Sequence, residues 1–121
     1  MKIPAEFDCI RPFEPEELPE VFDRLLSDSQ FQKVLAYLYP GVALDDIAAK
    51  MRACKTNIEF QKAFCYPFLQ QLIVKESLGC DMDAYNINIK NRYTFVSNHR
   101  DIVLDSAFLD KLLIDVGFDT T

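Results

Sequence analysis

Residues 80–97 read CDMDAYNINIKNRYTFVS. Upstream of this stretch the apolar residues recur with a helical period, and here that period breaks. β-Branched and aromatic residues crowd into two short runs, 80–89 and 92–97, with the polar pair Lys90-Asn91 between them. Such runs read as strands. The reading decides the fold class. It predicts an α+β protein: a helical N-terminal block over residues 1–79, then strand, strand and helix over 80–121. Two strands make an unstable sheet by themselves, so further strands are expected to complete it.

On the N-terminal side, residues 1–13 read as an extended lead-in. Leu18, Val21, Phe22, Leu25 and Leu26 then form one stripe at i, i+3, i+4, i+7 and i+8, the mark of an amphipathic helix. Pro15 and Pro19 fit only in or before a first turn, which places the helix start near Pro19. A second helix, FQKVLAYLY, is expected to turn Phe31, Val34, Leu35 and Leu38 inward and stops at Pro40-Gly41. The third runs from Leu44 to Arg52, with Leu44, Ile47, Ala48 and Met51 on one side. The fourth opens on Thr56-Asn57-Ile58-Glu59, a capping-box pattern, runs towards Gly79 and is expected to bend at Pro67. On the C-terminal side, Leu104, Phe108, Leu112 and Val116 mark a last helix from about Asp101 to Val116, ending at Gly117.

Composition narrows the function. Half of the 121 residues are apolar and only three are glycine. Neither GxGxxG nor a P-loop pattern occurs. The net charge is -6, with most of the acidic excess in the first 30 residues. No run of lysine or arginine is available to neutralise successive phosphates, which argues against nucleic-acid binding. Cysteines 9, 54, 65 and 80 form no CxxC pair, and one histidine cannot complete a Cys/His zinc site at such spacings. No metal site is expected. The N-terminal residues lack the apolar core of a secretory signal, so reduced and mostly buried thiols in a cytoplasmic protein are expected. Nothing approaches the 18 consecutive apolar residues of a membrane span.

The single histidine, His99, stands in SNHRDIVLD, between the apolar run and the last helix. A strand-to-helix turn holds a side chain between two rigid elements. A neutral imidazole there can take a proton from a hydroxyl, and an aspartate on its other nitrogen fixes the tautomer. The plainer alternative is structural: His99 closes the turn while Asp101 or Asp105 caps the helix. Ser106 has no second histidine to activate it. The aromatic stripe of the fourth helix, Phe60, Phe64, Phe68, Leu69, Leu72 and Ile73, reads as core first and as a membrane-contact face second.

SNHRDIVLDSAFL resembles the first motif of the glycerol-phosphate and lysophosphatidate acyltransferases of phospholipid synthesis. In that family Asn-His or Ser-His follows an apolar strand and precedes a short spacer and an aspartate. The run RYTFV ahead of it, and VLAYLYPG and YPFLQQLIV further upstream, are similar to bacterial members with a helical segment before the catalytic core. The resemblance implies that residues 80–121 begin an αβ acyltransferase core. It makes His99 the general base and Asp105 its orienting partner, with Asn98 and Arg100 as substrate contacts. The family pattern has four residues between His and Asp. Five intervene here, which turns a helical side chain by about 100° and makes Asp101 a competitor for the orienting role. No cofactor is implied; the acyl donor is acyl-CoA or acyl carrier protein, and the acceptor a glycerol-phosphate or lysophospholipid hydroxyl. A cytoplasmic enzyme is implied, and a peripheral contact with the inner membrane is admitted. No Glu-Gly pair occurs and 16 residues follow Asp105, so the chain is expected to be a truncated piece, inactive by itself. The competing function is a helical interaction or regulatory module in which His99 is structural.

Overall fold

The computed structural model describes residues 3–119. A 3-10 turn, Ala5–Phe7, opens it. The helices follow as α1 (Leu18–Ser27), α2 (Ser29–Leu38), α3 (Leu44–Ala53), α4 (Asn57–Phe60), a π-helical turn (Gln61–Cys65), α5 (Tyr66–Glu76) and α6 (Leu104–Asp115). The chain divides into two compact units, Met1–Ala63 and Phe64–Thr121.

In the first unit α1 packs on α2 and α3, and α2 on α3. Most of the residues read as inward form the core: Leu18, Val21, Phe22 and Leu26 from α1, Leu35 from α2, and Ile47, Ala48 and Met51 from α3, whereas Val34 and Leu44 are exposed. Met51 is completely enclosed, at 0% exposure. Each interruption has a local cause. Pro19 occupies the first turn of α1, where its missing N–H costs nothing. Asp28 ends α1 in extended backbone and its carboxylate accepts the Phe31 N–H at 2.8 Å, capping α2. Gly41 takes φ 79° directly after Pro40, a conformation that favours glycine. Thr56 Oγ1 accepts the Glu59 N–H at 3.2 Å, while Glu59 reaches back to the Lys55 N–H at 2.6 Å. The expected capping box therefore forms, displaced by one residue on its return arm. The Phe22 and Phe60 rings stack at 5.6 Å.

The lead-in is tied down by Arg11. Its guanidinium forks onto Glu17 at 2.8 and 2.9 Å and also donates to Asp8 at 3.1 Å. The Arg11 bonds, then the Glu14 N–H, hold the Glu17 carboxyl down from the usual 4.5 to about 2.

In the second unit α5 packs on α6, with Phe64, Leu69, Ile73 and Leu113 buried. Pro67 lies in the first turn of α5, just after the π turn. A proline lacks its N–H and crowds the carbonyl four residues back, and a widened turn relieves both. In place of one long helix bent at Pro67, the chain forms α4, a π turn and α5. Lys111 is buried and donates to the Asp115 carboxylate, which also accepts the Tyr66 hydroxyl at 2.6 Å. The Lys111 ammonium lies 5.4 Å above the Tyr66 ring.

The α+β class is overturned. Among the described residues there is no strand, and 77–103 is turns and irregular backbone. Short polar side chains inside the first expected strand are its undoing. Asp83 accepts the Tyr85 N–H at 3.0 Å, Asn88 accepts the Lys90 N–H at 3.0 Å, and the Asn88 carbonyl takes the Asn91 N–H at 2.9 Å. Short Asp and Asn side chains that bond nearby backbone compete with a ladder in this way, and two lone strands have too little to oppose them. Tyr93 and Phe95 pack on Phe118 instead, with ring centroids 6.3 and 6.4 Å away. The last helix begins at Leu104 rather than near Asp101. The expectation of mostly buried thiols also fails: Cys54 is buried, whereas Cys9, Cys65 and Cys80 are exposed.

Candidate functional site

The turn from Asn98 to Asp105 is built by two carboxylates facing opposite ways. Asp101 accepts the N–H groups of Val103 at 2.9 Å and Leu104 at 2.8 Å, which starts α6. These bonds, Leu104 first, hold the Asp101 carboxyl below the usual range. Asp105, one residue into α6, reaches back. Its Oδ2 accepts the Asp101 N–H at 2.8 Å and also the Arg100 N–H. Those two bonds, Asp101 first, likewise lower the Asp105 carboxyl. Together they form a reciprocal cap, with each acid satisfying donors that the helix start leaves open.

His99 stands on this turn with its side chain 67% exposed, and its Nδ1 lies 3.6 Å from Asp105 Oδ2. That separation is an electrostatic approach rather than a hydrogen bond. Asp105 approaches the imidazole, the Asp101 carboxylate bonds into the first turn of α6, and His99 acts electrostatically on both carboxyls as a lesser influence. The extra residue in the spacer is absorbed because 98–103 is not helical, so the 100° rotation of a regular helix does not arise. Asn98, expected from its residue type to hold the turn by side-chain bonds, makes none among the described residues. The Arg100 guanidinium has no ion-pair partner among them. The Ser106 hydroxyl donates to the Val103 carbonyl at 3.3 Å, the bond of a helix-start serine. Ile102 and Val103 beside His99 are largely exposed.

Two features of the second unit escaped the sequence reading. The first is the Tyr66–Asp115–Lys111 cluster. The i, i+4 spacing of Lys111 and Asp115 signals an ion pair, but nothing in the sequence brings Tyr66 to it. Burial pushes the Asp115 carboxyl up, and the bonds from Lys111 and Tyr66 outweigh that effect and leave it below the usual range. The Tyr66 phenol is raised by its bond to Asp115. The second is a half-open cavity of about 790 Å3 lined by Ile89, Arg92, Tyr93, Phe95, Leu113 and Phe118, among others.

Among the described residues no group of three or more His, Cys, Asp or Glu side chains could hold a metal ion. No helix of the described residues is long and apolar enough to cross a membrane. Compared with protein-family models, with curated proteins and with solved structures, the chain matches none of them.

Proposed function

We propose that the chain carries the catalytic corner of a glycerolipid acyltransferase, with His99 as general base and Asp105 as its orienting partner. One observation supports this above all. The only imidazole in the chain is exposed at a turn, with Nδ1 turned to a carboxylate that two backbone N–H groups hold ionised. With Nδ1 on the carboxylate side, Nε2 is the free base. It takes the proton of a glycerol-phosphate or lysophospholipid hydroxyl as that oxygen attacks the thioester carbonyl of acyl-CoA or acyl carrier protein. The tetrahedral adduct collapses, the C–S bond breaks, and the imidazolium returns its proton to the departing thiolate. Asp105 stabilises the imidazolium in between. Catalytic hydrogen bonds are often long without substrate and tighten on binding, so the 3.6 Å approach suits an unliganded site. The Arg100 guanidinium, which has no ion-pair partner among the described residues, is available to an acceptor phosphate. The enzyme acts in the cytoplasm, on acceptors at the periphery of the inner membrane.

The test uses the gene product that contains this chain, supplied with acyl-CoA or acyl carrier protein and with glycerol-phosphate or lysophosphatidate. His99→Ala is expected to lower transfer by about 10²–10⁴-fold, the share of a general base, at an unchanged melting temperature. Undiminished transfer by His99→Ala, or no transfer to either acceptor by the unaltered protein, overturns the proposal.

A second reading is favoured by the cap itself. Both carboxylates are spent on backbone N–H groups, as in a purely structural turn. In that reading the chain is a helical interaction module. His99→Ala then lowers the melting temperature or changes nothing, whereas Asp105→Ala lowers the melting temperature.

A further inference from the structure

Residues 92–99 cross from the Asn88–Asn91 turn to the start of α6 without joining any helix. Their backbone makes no backbone–backbone hydrogen bond among the described residues. The segment carrying His99 is therefore held by its side chains and its ends. At the α6 start, Asp105 holds the Arg100 N–H. At the other end, Tyr93 and Phe95 lie 6.0 Å apart and both meet the Phe118 ring at steep angles, 71° and 82°. The Tyr93 hydroxyl also accepts the Asn88 N–H at 2.9 Å.

Phe118 reaches these rings because of how α6 ends. Gly117 takes φ 102°, its N–H bonds to the Ile114 carbonyl at 3.1 Å, and the Phe118 N–H bonds to the Leu113 carbonyl at 3.0 Å. This left-handed helix stop turns the chain back over α6. One helix thus braces the segment from both sides, by a carboxylate near its first residue and by an aromatic ring just beyond its last.

We propose that Phe118 is a positioning residue for His99. Through the edge-on contacts with Tyr93 and Phe95 it fixes the far end of residues 95–100 and keeps the imidazole beside Asp105. Edge-to-face rings at these separations are directional as well as apolar, so the ring and not only its bulk holds the segment. The catalytic consequence rests on the acyltransferase reading, whereas the mechanical claim does not.

The chain has one histidine, so a 13C-labelled imidazole gives one ring signal. Its Cε1–H order parameter and its contacts to Asp105 are read in the full chain without substrate. Phe118→Ala is expected to lower the order parameter clearly below that of the unaltered chain and to erase the contacts to Asp105. Phe118→Tyr keeps both. If the alanine variant does not fold, Phe118→Leu is read in the same way, since it keeps bulk and removes the ring edges. An imidazole that stays ordered in the folded alanine or leucine variant overturns the proposal. Where transfer is measured, Phe118→Ala lowers kcat and leaves KM unchanged. Absence of transfer beside a loosened imidazole defeats the acyltransferase reading alone.

Discussion

At the start of α6 a single oxygen, Asp105 Oδ2, receives two backbone N–H groups and still lies 3.6 Å from His99 Nδ1. Capping and orienting are compatible because a carboxylate has about four lone-pair positions. What the sequence offered at this scale was a resemblance that put Asp105 first and a spacing that kept Asp101 in competition. The bonds show how each acid is engaged, Asp101 on the first turn of α6 and Asp105 on the two N–H groups ahead of it. Arg11 and Glu17 show the opposite case, a fork six residues long with no helical spacing to announce it. It has a consequence in acid. A carboxyl held at about 2 when folded and 4.5 when free contributes stability that is complete above pH 4.5. That contribution fades as the pH falls through 2. The Glu17 carboxyl carbon, followed by NMR, is expected to titrate near 2, and Arg11→Met to move the midpoint towards 4.5.

The elements were legible wherever one side chain face decides them. The stripe of α1, the breaker at Pro40-Gly41 and the Thr56 cap all follow from contacts within a turn or two, which sequence spacing encodes directly. Residues 80–97 were not legible in that way. Alternating aromatic and β-branched residues predict a strand only if a partner completes the ladder, and here Asp83 and Asn88 spend the backbone on turns. Tyr93 and Phe95 kept their apolar role and changed its target. The α5–α6 contact shows a second limit: Tyr66 and Asp115 meet across 49 residues, and no local pattern records that. Removing Lys111 leaves a partly sheltered Asp115 with only the tyrosine hydroxyl. Lys111→Ala is expected to cost about 2 kcal/mol by denaturant unfolding, less than a fully buried pair because Asp115 is partly wet. Lys111→Met keeps the packing of the stem and is expected to cost less.

Across the molecule, each unit has its own apolar centre, and each is built from a different kind of contact. The first rests on three periodic helices, so the periodicity located most of its core in α1 and α3, whereas in α2 only Leu35 of the four residues read as inward is buried. Met51 is its most enclosed side chain, and Met51→Ala is expected to destabilise that unit by about 3 kcal/mol in chemical denaturation. The second rests on one helix pair, a buried cation and an aromatic contact, whose partners lie far apart in the chain. Its proposed catalytic turn was visible as a motif, while the parts that hold the turn in place were not.

The shelter of Lys111 has a practical corollary for labelling. Amine-acylating reagents reach the exposed lysines of the native protein at once, but the Lys111 amine becomes reactive only when α5 and α6 part. The time course of its modification, read by mass spectrometry, is thus an internal clock for the opening of that helix pair.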